Sequence, residues 1–569
     1  MIPASKIKQI ISVARGDSPA DLLLTGAKIV NTFNGALETG NVAISAGRVA
    51  GVGDYRRAKE TIDLKGKYLA PGLIDGHVHL ESSMLDVGEY ARAVVPHGTA
   101  AIVTDLHEIA NVCGREGIKY VLDRARRLPF DLFLMAPSCV PATHLETSGA
   151  EIGPEDIRKI LRLRNCLGLG EVMNYPGVLS GDAVMLAKIK AARGKIIDGH
   201  APGLSGKDLV AYISAGITSD HECVTLAEAE EKLRRGMHIM IREGSSEKNL
   251  EALLPLVTNK TYARCLFVVD DRHAGDILYD GDIDAVVRKA IRLGLEPIRA
   301  LQLATINAAR YFRLDRLGAI APGYFANLIV LDDIKNFKID TVFYRGRMVA
   351  REGKALFTVP PGGSRLTHTI NIKPFGIKAL KLRASGESHH VIEVIPGQIV
   401  TRNKIMKVKI ADGCVVPDTA RDILKAAVVE RHKATGNIGL GLVTGFGLKK
   451  GALASSTAHD SHNIVAVGTN DEDILAAVKE IERMQGGLVA AAGGKVVESL
   501  ATPIAGLLAN APLGDVVQGL KKLETAAKSL GATLPAPFAA LSFLALPVIP
   551  ELRLTDLGLV DVKEFKLIK

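Results

Sequence analysis

The sequence predicts an α/β fold: a (β/α)8 barrel of the TIM type, a small composite β domain drawn from both of its flanks, and a C-terminal α+β domain. Three observations carry this expectation. Between residues 69 and 312, eight short apolar runs alternate with amphipathic stretches of about 10–15 residues, the rhythm of strands joined by helices. Similar β-rich runs broken by Gly and Asn turns stand on both sides of that region, at 21–54 and 318–356. Beyond residue 375, Gly-rich apolar strands (439–468) precede a helical stretch, EDILAAVKEIERMQ (472–485). The expected division is 1–68 with 313–370, then 69–312, then 371–569.

The eight runs are LAPGLID (69–75), AAIVTD (100–105), LFLMA (132–136), LGLGE (167–171), KIIDG (195–199), GITSD (216–220), HIMIRE (238–243) and LFVVDD (266–271). Helical candidates between them include MLDVGEYARAVVPHG, GDAVMLAKIKAARGK and SGKDLVAYISAG. A doubly wound open sheet is the competing architecture, but no GxGxxG follows the first run.

Composition bounds the function. At 47% hydrophobic and 23% charged, the 569 residues describe a packed globular protein, which argues against a disordered or fibrous chain. A net charge of +9 is mild for this length, and basic residues are not interleaved with aromatics, so no nucleic-acid partner is expected. The six cysteines (113, 139, 166, 223, 265 and 414) are scattered without a CxxC. They read as inert reduced thiols of a cytoplasmic protein. The N-terminus lacks the long apolar core of a secretory signal. The most apolar stretch, PAPFAALSFLALPVIP (535–550), is interrupted by four prolines and falls short of the roughly 20 residues a span needs. No membrane association is expected, and apolar C-terminal segments suggest a homo-oligomer.

Nearly every barrel run ends in ionisable residues, and in a barrel those ends share one mouth. His77 and His79 are two apart, so in a regular strand they point the same way and grip one cation. His200, His221 and Asp270 end other runs. Together the five are expected to hold a divalent metal. Glu171 closes the fourth run, where a carboxylate bridges two metals or, alternatively, bonds the substrate. Asp270 is the natural general base and Asp271 a substrate contact. Glu81, Asp105, His107 and Glu108 also lie at the mouth, with substrate binding weighed against capping or loop hydrogen bonds. Asn174 and Tyr175 are purine-contact candidates of a type more often structural. Ser82 and Ser83 read as helix N-caps. His459 and His462, in HDSHN, are balanced between a structural network and a role at the mouth.

The segments HVHLESSML (77–85), HEIANVCG (107–114), GEVMNYPGV (170–178), DGHAPG (198–203), SDHE, DDRH (270–273) and ASSTAHDSHNIVAVG (454–468) resemble the adenine deaminase family of the amidohydrolase superfamily across essentially the whole chain. The resemblance implies a metal-dependent hydrolase acting on a cyclic amidine. Adenine would become hypoxanthine and ammonia, with a metal-activated hydroxide attacking C6, as in purine salvage or adenine catabolism. It implies a binuclear centre of manganese or iron, with zinc possible, held by His77, His79, Glu171, His200, His221 and Asp270. No carboxylated Lys closes the fourth run; Glu171 matches the family pattern instead. Glu81, Glu108 or Asp271 would protonate purine N1, and Asp271, Asp105, His107 and Asn174 would contact the substrate. Leu106 stands where many relatives carry Pro, a change expected to alter loop stiffness only. A hydantoinase- or dihydroorotase-like enzyme and a non-catalytic scaffold are the alternatives.

Overall fold

The computed structural model describes residues 3–360 and 365–568. Both flanks of the barrel meet in one nine-stranded sheet. Leu328–Asp333, from the far flank, pairs antiparallel with Tyr68–Pro71, placing Leu328 opposite Pro71 and Val330 opposite Leu69. Ala20–Asn31, Ala36–Ser45 and Arg48–Gly53 extend the sheet one way, and Lys338–Tyr344 and Arg347–Arg351 the other. Leu22, Leu24, Ile29, Val42, Ile44, Leu328 and Phe343 form its apolar face.

The run at 69–75 is divided between two sheets. Tyr68–Pro71 belongs to the small sheet and Leu73–Asp75 to the barrel, so the change of sheet falls at Gly72 and not at residue 69. A Cβ at Gly72 would stand 2.5 Å from the Ala100 Cβ, which requires glycine at this crossing.

The barrel strands are β1 (Leu73–Asp75), β2 (Thr99–Thr104), β3 (Asp131–Ala136), β4 (Cys166–Val172), β5 (Ile196–Gly199), β6 (Ser219–Asp220), β7 (His238–Arg242) and β8 (Cys265–Val268). Every pairing within β1–β5 and β6–β8 is parallel. The two ladders are joined at both seams. Thr218 N–H donates to Ile197 O at 3.0 Å, while Asp270 N–H donates to His77 O at 2.9 Å and His79 N–H to Asp270 O at 3.0 Å. Parallel strands covered on both faces need apolar residues on both, which is why they read as continuous runs and not as alternation. The interior is filled by Ile74, Val103, Met135, Ile196, Met240 and Leu266. The helix Ile306–Tyr311 and Phe312 pack against the same cluster and close its N-terminal end. Burying Phe312 alone contributes roughly 1.5–3 kcal/mol. The expected amphipathic stretches form the helices Val87–Val94, Ala183–Ala191 and Gly206–Ser214.

The C-terminal region is built on an eight-stranded sheet from Ser388–Val394 to Lys495–Ala501. Helix Asp471–Met484 covers one face through Ile474, Ala477, Val478 and Ile481. Its start is fixed by the Asn470 side chain, which accepts from Asp473 N–H, and by three acids in the first turn that suit the helix dipole. Helices Leu513–Ser529 and Pro537–Phe543 cover the other face through Leu523, Ala527 and Leu541. The Pro-interrupted stretch at 535–550 thus packs into this region, with Phe538, Leu541, Leu544 and Ala545 in its core. Among the described residues no helix is long and apolar enough to cross a membrane.

The C-terminal region is docked on the barrel mouth. Ala509 N–H donates to Met84 O at 2.8 Å, Thr555 Oγ1 to Leu145 O at 2.7 Å, and Thr147 Oγ1 to Asp556 Oδ2 at 2.6 Å. The HDSHN loop is thereby brought against the C-terminal ends of the barrel strands.

Candidate metal centre

Glu171, at the end of β4, is the middle of the site. Its Oε1 faces one group of imidazoles: His79 Nε2 at 3.3 Å, His107 Nδ1 at 3.3 Å and His77 Nε2 at 3.8 Å. Its Oε2 faces another: His200 Nδ1 at 2.7 Å and His221 Nε2 at 3.3 Å. Asp270 closes the first group, with Oδ1 3.1 Å from His79 Nε2 and 3.4 Å from His77 Nε2. The His77 and His79 Nε2 atoms are 3.1 Å apart. All six expected ligands therefore converge, from five different strands. A regular strand would place His77 and His79 on one face; here β1 has already ended, and the Asp270 hydrogen bonds on either side of Val78 hold the segment extended.

The donor chemistry suits divalent cations. Imidazole nitrogens and carboxylate oxygens meet in overlapping groups, His77–His79–Asp270 and His77–Glu171–His221 among them. Glu171 Oε1 is buried and makes no hydrogen bond, although basic nitrogens surround it; a cation between them would satisfy all of these atoms at once. His77, His79, Glu171, His221 and Asp270 are nearly inaccessible, whereas the His200 side chain keeps 18% exposure. The β4–β5 side is thus where the centre meets solvent.

Asp270 takes a left-handed backbone conformation, φ 62°, which turns its carboxylate into the mouth. Burial alone would raise its pKa. The nearby His77 and His79 and the Arg242 guanidinium outweigh burial and hold the carboxyl well below its usual range. Arg242, at the end of β7, donates to Asp270 Oδ2 at 2.7 Å and also grips Glu222. Sequence reasoning gave no role to Arg242 or Glu222, although both stand at strand ends like the assigned residues.

Glu81 lies in the short 3-10 turn Leu80–Ser83. Its Oε1 accepts weakly from Ile109 N–H at 3.3 Å, and its Oε2 is buried without a partner. Burial pushes the Glu81 carboxyl up to about 7, with the His79 charge opposing and the Glu108 charge adding to the rise. Glu108 is different. Its Oε1 takes a bond from His459 Nδ1 at 2.5 Å, and His462 Nε2 stands against its Oε2. His462 Nδ1 accepts from Ala458 N–H at 3.1 Å, so the ring proton sits on Nε2, towards Glu108. Burial favours the neutral acid, but His459, His462 and His107 override it and keep Glu108 ionised. Glu108 is thus a clamped, ionised carboxylate, whereas Glu81 keeps one oxygen without a partner. The HDSHN histidines act at the mouth by gripping Glu108.

His107 is sandwiched between Asp105, at 3.0 and 3.1 Å, and Glu108, at 3.2 Å. Asp271 accepts from Ser82 Oγ. That contact and the bond from Ser83 Oγ to Leu80 O correct the N-cap reading of both serines; Asp86 occupies the start of helix Val87–Val94. Asn174, expected against the purine, caps helix Tyr175–Ser180 by accepting from Gly177 N–H at 2.9 Å, and Tyr175 packs on the barrel core. Burial pushes the Cys113 and Cys166 thiols up to about 11 and Cys265 up to about 12, as expected of inert cysteines.

Leu106 is fully buried at φ 56°, a region closed to the proline ring. Proline here would change the backbone path and not merely its stiffness. Leu106→Pro is expected to cost about 3 kcal/mol or more, read as a lowered urea midpoint; an unchanged midpoint would contradict the left-handed turn.

A parallel barrel whose strand ends gather imidazoles and carboxylates around one acid is an amidohydrolase type of architecture, and residues 68–349 match the amidohydrolase family. Residues 398–566 match the adenine deaminase C-terminal domain. The chain is 61% identical to the adenine deaminase of Dehalococcoides mccartyi over 99% of both chains. It is 50% identical to adenine deaminase 2 of Carboxydothermus hydrogenoformans over 99% of both, and 45% identical to the adenine deaminase of Halalkalibacterium halodurans over 99% and 98%. The chain belongs to the adenine deaminase family.

Proposed function

We propose that this protein hydrolyses adenine to hypoxanthine and ammonia at the centre around Glu171. The observation that carries the reading is the full-length likeness to adenine deaminases, including the C-terminal domain that reaches into the mouth. His77, His79, Glu171, His200, His221 and Asp270 would hold a pair of divalent cations, manganese or iron with zinc as the other candidate. Such ions supply, when bound, a water acidified to near neutral pH and a counter-charge for the developing oxyanion.

The protein's own groups do the rest. Adenine C6 is part of an aromatic ring, so nucleophilic addition there is costly until N1 is protonated. Glu81, whose carboxyl burial raises to about 7 and whose second oxygen has no partner, donates that proton. Asp270 accepts a proton from the attacking water and transfers it to the departing amine, so that ammonia leaves, while the second water proton, on the C6 hydroxyl, returns to Glu81 as the C6 carbonyl forms. Arg242 fixes the orientation of Asp270 through its second oxygen. Asp271 and His107 border the purine, with Asp105 holding His107 in place. Domain limits near 1–71 with 313–370, 72–312 and 371–569, a cytoplasmic location, which suits six unpaired cysteines, and self-association belong to the same proposal.

Incubation with adenine, following hypoxanthine and ammonia in equal amounts, tests the reading; cleavage of hydantoin or dihydroorotate with adenine untouched would refute it. Glu81→Gln is expected to retain metal and to lower kcat by roughly 10²–10⁴. A kcat within twofold of wild type would remove Glu81 as the proton donor.

A further inference from the structure

Two adjoining cavities lie at the closed end of the barrel, opposite the metal centre. The smaller, about 310 Å³, is lined by Lys195, Arg264, Arg310, Arg313 and Thr218 around the N-terminal ends of β5–β8, and no acid lines it. The larger, about 540 Å³, shares Arg310 and Arg313 and adds Arg316, Phe33 and Tyr324, with Asp315 as its single acid. Among the described residues no carboxylate pairs with these cations. Lys195 bonds to Cys166 O at 2.8 Å, Arg264 to Gly236 O at 2.7 Å and Arg313 to Gly194 O at 3.3 Å, all uncharged carbonyls. His238 also lines the smaller cavity, and its Nδ1 is buried without a partner. Nearby, burial together with the positive charges of Arg316 and Arg345 depresses the Arg48 guanidinium.

Concentrating like charges around a hollow is unfavourable unless an anion shares it. Guanidinium forks match phosphate oxygens in pairs. The larger cavity supplies a different chemistry. Phe33 is 42% exposed, and its ring stands edge-on to Tyr324 with centroids 5.8 Å apart, which leaves aromatic surface free for a stacked base.

We propose that this face binds a nucleoside monophosphate, its phosphate among Lys195, Arg264, Arg310 and Arg313 and its base against Phe33 and Tyr324. The site is separate from the catalytic mouth: His238 and Arg242 stand at opposite ends of β7, roughly 13 Å apart along the strand. Ligand and adenine therefore bind together, and the strands β5–β8 connect the two sites.

The test is calorimetric titration of the metal-loaded, full-length protein with GMP and, separately, with inorganic phosphate, each in saturating hypoxanthine. GMP is expected to bind with a Kd of about 1 mM or tighter and to weaken on the order of tenfold or more in R310E/R313E. Adenine turnover without GMP should be unchanged in that variant. Phe33→Ala should weaken GMP and leave phosphate unaffected. If the double variant shifts the unfolding midpoint, Arg310→Ser alone, at an exposed position, gives the same comparison. Absence of GMP binding, equal affinity in the arginine variants, or displacement of GMP by hypoxanthine would each overturn the proposal. GMP binding no tighter than phosphate and indifferent to Phe33→Ala would overturn its nucleoside part.

Discussion

Glu171→Gln is expected to remove bound metal and turnover together. Glu171 places one oxygen towards His77, His79 and His107 and the other towards His200 and His221. Glutamine has the same shape, but it is neutral and has only one oxygen, so it cannot serve both sides. The buried nitrogens around it would lose their shared negative charge, and two cations packed into the same space would repel each other more strongly. Loss of several kcal/mol of charge stabilisation, at about 1.4 kcal/mol per tenfold, corresponds to a fall in kcat of roughly 10³ or more. Metal analysis should find fewer than one ion per chain retained after dialysis. Retention of wild-type metal content would mean that the two imidazole groups do not depend on this carboxylate.

Asp270→Asn separates metal binding from proton transfer. The amide oxygen keeps a contact with His77 and His79, and the remaining five ligands are intact, so most of the metal should stay. An amide accepts no proton from water at neutral pH, and kcat should fall by roughly 10²–10⁴ with little change in KM. The variant should also disturb Arg242, whose guanidinium would keep Glu222 as a charged acceptor and lose Asp270. Full turnover in Asp270→Asn would remove Asp270 from the proton path.

Much of the fold was legible because its physics is local. Strands covered on both sides have to be apolar throughout, and the (β/α)8 rhythm places their polar ends on one rim; residues 77, 79, 171, 200, 221 and 270 stand there, and the family resemblance set them apart from the other acids and imidazoles of that rim. The pieces that escaped depend on long-range pairing or on backbone angle. His459 reaches Glu108 across 351 positions, and no spacing in the chain announces it. Arg242 looks like any strand-end cation until β7 is set beside β8. Asn174 resembles a ligand-contact residue in sequence and proves to be a helix cap, because Asn serves both purposes with the same amide. The division of the run at Gly72 was hidden because two short buried strands in succession look like one.

The central claim is that a pair of cations held around Glu171 and protein acids on either side of the purine together deaminate adenine. The most direct test measures divalent metal per chain and adenine turnover on the same preparation, before and after chelation and after metal is restored. The account predicts close to two ions per chain, ammonia and hypoxanthine released in equal amounts, loss of both on chelation and recovery on reloading. Undiminished deamination by the metal-free protein, or a fully loaded protein that leaves adenine untouched, would contradict it.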